Sequence, residues 1–263
     1  MIPPDSAPQP TKKRYSEELS NYLAIEVADS LRGLGFASIK PERRTITSGK
    51  RAGSIEIKKE KEFQGGLGPK RVDVSFSDDR HGLLLALSIK TLNFPSFPPL
   101  RGTSPPKPDF SKPNFSKNVK NRFGDLTTES ITLHMRFPFA VVGCLYVMPE
   151  RSHTEKGRNM RISTFERASL LYATISGRRV YGDPAERFED VTLMLYRPLA
   201  SADRTQDVRV KLFSAGPVGD PLEENGYFLR LRELYNERNP HAMIGEDADE
   251  GDVDFEDVEA DEL

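Results

Sequence analysis

Apolar side chains recur at helical spacing near the start of the chain. The intervals alternate between four and three residues, and the stripe consists of Leu19, Leu23, Val27, Leu31 and Leu34. This spacing predicts a helix that begins at a Ser16 cap and ends at Gly33 or Gly35. Similar patterns predict three further helices, at 118–138, 162–176 (capped by Ser163) and 223–239.

Strand patterns fill most of the sequence between these helices. An alternating stretch at 54–63 predicts a half-exposed strand, and RVDVSF at 71–76 predicts the next one. Long apolar runs predict buried strands at 83–94 and 139–149. Two more strands are predicted, at 188–198 and 206–216. The order up to residue 148 is helix, three strands, long loop, helix and strand, which predicts an α/β core with helices packed on a mixed sheet.

Composition divides the chain into four segments. Residues 1–13 are Pro-rich and polar, and we expect them to be disordered. Residues 14–150 form the core, and 151–245 extend the same domain with α+β structure. Residues 246–263 contain eleven acidic residues and no Lys or Arg, so this tail should repel itself and be disordered. Within the core, 93–117 has seven prolines and predicts a long loop that is either functional or disordered.

The acidic tail hides the basic character of the rest of the chain. Without its eleven acidic residues, 38 Lys and Arg stand against 29 Asp and Glu, a net charge of about +9. Such a charge favours a polyanionic partner, because Lys and Arg contacts with phosphate supply most non-specific affinity for nucleic acids. The alternative is solubilising charge. The tail is expected to compete with DNA for the basic surface or to dock on a partner, with a solubilising role as the alternative.

Several classes of protein are disfavoured by what the sequence lacks. No apolar run approaches the roughly 18 residues of a membrane helix, and we expect no secretory signal and no membrane partner. The single cysteine, Cys144, lies in an apolar run and is predicted to be buried, which favours a cytoplasmic protein. The sequence has no paired Cys/His ligands for zinc, no phosphate-binding G-x-x-x-x-G-K-[ST] loop and no G-x-S-x-G turn, so neither ATP-driven nor acyl-transfer chemistry is indicated.

Two charged side chains lie in strands that are predicted to be buried. Asp73 is in the middle of RVDVSF, where alternation places it on the face opposite Val72, Val74 and Phe76. On the next strand Ser88 and Lys90 share one face. Asp73 and Lys90 can therefore converge, and burial requires that they be paired, hydrated or bound to a metal ion. A structural Asp–Lys ion pair is the simplest interpretation.

The arrangement of Asp73, a turn and then Ser88-Ile89-Lys90 resembles the PD-(D/E)XK nuclease superfamily, which includes restriction and repair nucleases. The core order of that family, αβββαβ, matches the elements predicted for 16–148. The resemblance implies a restriction-endonuclease-like core and Mg²⁺- or Mn²⁺-dependent hydrolysis of DNA. Asp73, a second acid and the Ile89 carbonyl would hold the metal, and Lys90 would position the attacking water. It also implies double-stranded DNA as substrate, bacterial restriction or phage defence, and a homodimer or a larger complex.

The sequence departs from the family pattern at two positions. Val72 replaces a proline, which the family tolerates, but Ser88 replaces the second acid. By resemblance to restriction enzymes with Ser-x-Lys, an acid from the following helix would complete the site. Asp125 and Glu129 are four residues apart on one face of that helix, and Glu129 is our candidate.

Two other acidic residues enter the comparison. Glu26 on the first helix matches an additional site residue of the family, although an ordinary surface glutamate fits as well. A competing E-x-K match, Glu56-Ile57-Lys58, ranks lower because it lacks a preceding strand aspartate and its surroundings are solvent-facing.

Residues for DNA contact are predicted around the start of the second helix. Asn118, Asn121 and Arg122 lie within one turn, and they can contact phosphates or bases. Lys117 and Arg101 add basic groups from the Pro-rich loop. Two alternatives remain open for function. One is a nucleic-acid-binding subunit whose site is degraded at Ser88, and the other is an interaction protein in which Asp73 and Lys90 are only a structural pair.

Overall fold

The structure, a computed structural model, describes most of the chain. It covers residues 2–45, 55–58, 62–155, 161–198, 209–223 and 225–244, with only the backbone at 44–45, 55–58 and 117. The helices in these residues are α1 Gln9–Gly33, α2 Ser116–His134, α3 Arg151–Thr154, α4 Thr164–Ala173 and α5 Gly226–Arg238. The strands are β1 Glu42–Thr45, β2 Ile55–Lys58, β3 Glu62–Gly65, β4 Gly68–Arg71, β5 Val74–Asp78, β6 Gly82–Thr91, β7 Val141–Pro149, β8 Asp190–Tyr196 and β9 Val210–Ser214.

A five-stranded mixed sheet forms the centre of the molecule. Its order is β5-β6-β7-β8-β9, with antiparallel pairs at the two edges and parallel β6-β7 and β7-β8 pairs between them. Parallel neighbours need a long crossover connection, and α2 supplies the one between β6 and β7. The fold is therefore the predicted mixed α/β sheet flanked by helices.

Helices cover both faces of this sheet, and the sheet divides the hydrophobic core into two halves. On one face, Leu85, Leu87 and Ile89 of β6 pack with residues of α1 and α5. On the other face, strand residues pack with α2 and α4, and Cys144 is buried there as predicted. Burial raises the pKa of the Cys144 thiol. Because strand residues alternate, Lys90 points toward α2.

Helix α1 begins earlier than its apolar stripe predicts. It starts at Gln9, with Pro10 in the first turn, where a missing backbone N–H is not needed. Residues 9–13 are therefore helical, contrary to the predicted disorder. Ser16 lies inside the helix, and its hydroxyl accepts a bond from the Asn93 side chain (2.9 Å) instead of capping. Arg151 anchors the preceding segment through two 2.8 Å bonds to the Asp5 carboxylate.

The predicted strand at 54–63 is not part of the central sheet. Its described residues belong to β2, which pairs with β1, and to β3, which pairs with β4. The β3-β4 hairpin packs closely on α2, since a Cβ added at Gly65 would lie 2.4 Å from Thr132 Cγ2. The predicted arrangement of three strands before α2 is therefore reduced to β5 and β6 within the central sheet.

The Pro-rich segment 93–117 forms a paired loop. Isolated bridges join Ser96 to Asn114 and Pro99 to Pro108. At its base Asn93 is buried and accepts a bond from the Tyr196 hydroxyl (2.7 Å) at the end of β8. None of the helices in the described ranges is long and apolar enough to cross a membrane.

The second half of the chain completes the central sheet through β8 and β9. The predicted Ser163 cap is confirmed, since Ser163 and Glu166 form a capping box at the start of α4. Helix α2 ends at His134, before the predicted stop at Pro138. The acidic tail 246–263 lies outside the described residues.

Candidate metal and nucleic-acid site

Asp73 reaches the site because the chain bends just before β5. Val72 packs in the α2-side core and Val74 in the α1-side core, so these two valines do not share the face that alternation predicts. Strand β5 itself begins only at Val74. Asp73 turns toward β6, where its Oδ2 accepts a bond from the Ile89 backbone N–H (2.7 Å).

Helix α2 brings Glu129 to the same place. Its Oε2 lies 3.0 Å from Lys90 Nζ and 2.8 Å from Lys70 Nζ, and the Glu129 side chain is only 1% exposed. Lys70 comes from the β3-β4 hairpin, which lies on α2. The structure thus assembles Asp73, Ser88, Lys90 and Glu129, which we call the Lys90 cluster, with Lys70 as an additional member.

The charge of Lys90 is fixed by its two acidic neighbours. Burial alone would lower the pKa of Lys90, but the carboxylates of Glu129 and Asp73 outweigh burial and raise it. Lys90 is consequently an ammonium group at neutral pH. It can stabilise negative charge, but it cannot accept a proton from water.

Two buried oxygen atoms in the cluster, Ser88 Oγ and Glu129 Oε1, have neither a hydrogen-bond nor an ion-pair partner among the described residues, and Glu129 Oε2 has only its ion-pair contacts with the two lysines. Unsatisfied buried polar atoms are uncommon in native proteins. The N–H and C=O of one strand residue point the same way, so the Ile89 carbonyl also faces the side on which Asp73 lies. Oxygens of carboxylates and carbonyls are the ligands that Mg²⁺ prefers.

The Lys90 cluster offers few protein ligands for a metal ion. Within the described ranges, no group of three or more His, Cys, Asp or Glu side chains could hold a metal ion. Asp73, Glu129 and the Ile89 carbonyl fit Mg²⁺ in chemical type, and water would complete the six ligands, as is usual for this ion.

Two predicted acidic candidates lie elsewhere. Glu26 is on α1, whose core-facing residues pack on the opposite face of the sheet, and it pairs with Arg43. Asp125 is exposed and pairs with Arg122 at 3.3 Å. The competing E-x-K match lies in β2, outside the central sheet, and its side chains are outside the described residues.

The predicted DNA-contacting residues on α2 line a cleft that reaches Thr91, the residue after Lys90, although no member of the Lys90 cluster is in its lining. This cleft has a volume of about 590 Å³, and Asn118, Asn121 and Arg122 lie on its wall next to Thr91. Arg101 is exposed on the Pro-rich loop and is not part of the lining. The side chain of Lys117 is outside the described residues.

Sequence patterns did not indicate the role of Lys70. It follows the turn GGLGP, and the turn pattern carries no sign that the hairpin folds onto α2. The only available signal is the row of glycines, because Gly65 permits the close approach to Thr132.

A second buried carboxylate, also not predicted, lies near the other end of the parallel strands. Glu189 accepts bonds from Arg178 (2.9 Å) and the Val142 N–H (2.8 Å). His134 Nε2 lies 3.1 Å from it, and Arg238 forms an ion pair at 2.9 Å. Burial alone would raise the pKa of Glu189, but the contacts with His134, Val142 and Arg238 hold it below the usual value.

Comparisons of the whole chain with family models, curated proteins and solved structures find no match.

Proposed function

We propose that the chain is a Mg²⁺-dependent endonuclease that hydrolyses phosphodiester bonds of DNA at the Lys90 cluster. The observation that carries this proposal is the convergence of Lys90 with Asp73 and Glu129 beside the Ile89 backbone. A phosphodiester is anionic, and its hydrolysis adds negative charge. A fixed ammonium group next to oxygen ligands suits that charge.

In the proposed site, Asp73, Glu129 and the Ile89 carbonyl would hold the metal ion. When bound, Mg²⁺ neutralises developing charge and lowers the pKa of bound water. The chain contributes the rest by position, since Asp73 is oriented by the Ile89 N–H and Glu129 is oriented by two lysines.

Lys90 supplies positive charge in this mechanism. Its Nζ lies 3.0 Å from Glu129 Oε2, a position from which it would orient water and stabilise the phosphate in the transition state. Lys70 has an indirect, positioning role, because it forms an ion pair with Glu129 from the β3-β4 hairpin.

The surrounding fold supports the proposal in a general way. An antiparallel β5-β6 pair is followed by a parallel crossover through α2 to β7, which keeps the strand-helix-strand part of the order that the resemblance implies, with two strands of the central sheet before α2 instead of three. A restriction-endonuclease-like core belongs to the proposal on this ground. The excess of Lys and Arg outside the tail suits a DNA substrate.

A specific observation favours a second candidate, a nucleic-acid-binding subunit without catalysis. Ser88 supplies no carboxylate, and Glu129 is already in contact with two lysines that would compete with a metal ion. In this alternative the cluster is a structural ion-pair network, and the cleft still binds nucleic acid.

Cleavage of plasmid DNA in Mg²⁺, both supercoiled and carrying a short single-stranded gap, tests the proposal. Lys90→Ala should reduce cleavage about 10²- to 10³-fold, the usual cost of removing one preorganised charge donor, while DNA binding is retained. Arg80→Ala is the matched control, because Arg80 is exposed at the turn that begins β6, at the opposite end from Lys90. Salt-sensitive binding without any Mg²⁺-dependent cleavage by the wild type would reject catalysis in favour of the binding subunit.

A further inference from the structure

We propose that the cleft beside the Lys90 cluster binds one unpaired DNA strand and leads it to Lys90, so that the preferred substrate has a single-stranded end or gap. This inference rests on the proposed function for its cleavage part only. The binding part depends on the cleft, its charges and its size.

The cleft runs between two helices. The first turns of α1 form one wall, the first turns of α2 form the other, and Thr91, Leu92 and Asn93 after Lys90 lie between them. Along α2, Asn118 is eleven residues before Glu129, which is about 16 Å along the helix axis. Thr91 and Asp125 in the lining are the closest in sequence to Lys90 and Glu129, so a strand held against Asn118 and Asn121 has to extend about one helical turn beyond Asp125 to reach the Lys90 cluster.

The lining is mostly polar, and three of its four charged residues are basic. Lys12 and Lys13 of α1 face a cleft that also contains Arg122 of α2, and Asp125 is the one acidic residue in the lining. Lys12 Nζ also lies 5.6 Å from the centre of the Phe94 ring. A positive groove with an aromatic ring in its wall is typical of sites for single-stranded nucleic acid.

The volume of the cleft indicates whether it can hold a single DNA strand or a duplex. A volume of about 590 Å³ lies in the range of sites for small ligands, which fits a few nucleotides but not a double helix. The amides of Asn118 and Asn121 can bind base edges, and the edges used for pairing are open only in an unpaired strand. The cleft thus fits an unpaired strand better than the sides of a duplex.

The α1 wall is held in place before any ligand binds. Arg151 donates a hydrogen bond to Asp5, before the first turn of α1, and Asn93 donates one to Ser16, after its second turn. The start of α1 is therefore attached to the rest of the molecule on both sides. A wall that is already ordered does not lose further conformational freedom on binding, which favours affinity. These two contacts stabilise the helical conformation of residues 9–13 despite their polar, Pro-containing sequence.

Fluorescence anisotropy of the full chain in EDTA measures binding without cleavage. We expect a labelled 12-nucleotide DNA and a duplex with a 12-nucleotide overhang to bind at least about tenfold more tightly than a blunt duplex, a difference of about 1.4 kcal/mol. Lys12→Ala combined with Arg122→Ala should reduce the slope of log K against log salt by about 1.4, since each phosphate contact on a single strand contributes about 0.7. Arg80→Ala should leave the slope unchanged.

A second variant keeps the test independent of any loss of folding. Asp125→Asn removes the acidic lining residue and releases Arg122, so it should increase affinity for the single strand about two- to threefold. Equal or tighter binding of the blunt duplex, or an unchanged slope in the double variant, would overturn the inference. Single-strand binding without cleavage in Mg²⁺ would leave the inference standing and reject the nuclease proposal.

Discussion

Glu129 and Glu189 are both buried glutamates, yet their surroundings differ. Glu189 meets two arginines, a histidine and a backbone N–H, all held at its two oxygens. Glu129 meets two lysines at one oxygen, and its other oxygen has no partner among the described residues. The lysines are also partly exposed, with side-chain exposures of 31% and 19%, whereas Arg178 is 2% exposed.

This difference indicates which carboxylate is structural and which is available for chemistry. Both carboxylate oxygens of Glu189 have partners, so Glu189 holds α2, the start of β7, α5 and the residues before β8 together, although Arg178 Nε is buried without a hydrogen-bond partner among the described residues. A carboxylate with an unused oxygen, as in Glu129, retains capacity for another ligand. Burial and ion pairing are therefore common to Glu129 and Glu189 and do not distinguish them. The distinguishing feature is whether a carboxylate oxygen is left without a partner.

The largest expected difference is in stability. Glu189→Gln removes the negative charge between Arg178 and Arg238 and should lower the free energy of unfolding by about 3–5 kcal/mol. Glu129→Gln should cost only about 1–2 kcal/mol, because its lysines can reach water. Urea unfolding of both variants beside the wild type measures this, and equal losses would contradict the comparison.

Catalysis should show the reverse order. Glu129→Gln should reduce Mg²⁺-dependent cleavage about 10²- to 10³-fold, because it removes the charge that faces Lys90. Glu189→Gln should leave cleavage within about threefold of the wild type when assayed below its unfolding transition. Plasmid nicking rates give both numbers, and a Glu189 variant that is folded yet inactive would show that the two clusters are coupled.

Acid should remove the stabilisation at Glu189. The pKa of Glu189 is lowered in the folded chain, so its contribution is present above the unfolded value of about 4.3 and is lost as the pH falls through the folded value. The stability advantage of the wild type over Glu189→Gln should therefore shrink below about pH 4.3. Urea unfolding of both proteins from pH 7 to 3 checks this, and a constant difference would be evidence against a charged Glu189.

The smallest effect is expected at alkaline pH. The pKa of Lys90 is raised on folding, so its contribution is complete below the unfolded value of about 10.4 and is lost as the pH rises through the folded value. Compared with Lys90→Met, the wild type should lose less than about 1 kcal/mol above that pH. Unfolding curves of both proteins at pH 9 and pH 11 measure this difference in stability. If the wild type has already lost its advantage over Lys90→Met at pH 9, the pKa of Lys90 is lowered on folding and not raised.

Local patterns were sufficient for part of this site and not for the rest. Alternation on β6 places Ser88 and Lys90 together, and spacing along α2 selects Glu129, because both rules act within one element. Lys70 and Glu189 depend on contacts between distant elements. The bend at Asp73 also overrides alternation at Val72. The helical start at Gln9 is stabilised by Arg151, far away in sequence.

Asn93 has a consequence for any attempt to divide the molecule. This one buried side chain is bonded to Ser16 near the beginning of the chain and to Tyr196 in its second half, while Arg151 donates to its carbonyl at 3.1 Å. A fragment ending near residue 150 would lose those last two anchors and leave β7 as a bare, apolar sheet edge, which favours aggregation. The Lys90 cluster and the second half of the chain should therefore fold only when they are expressed together in one chain.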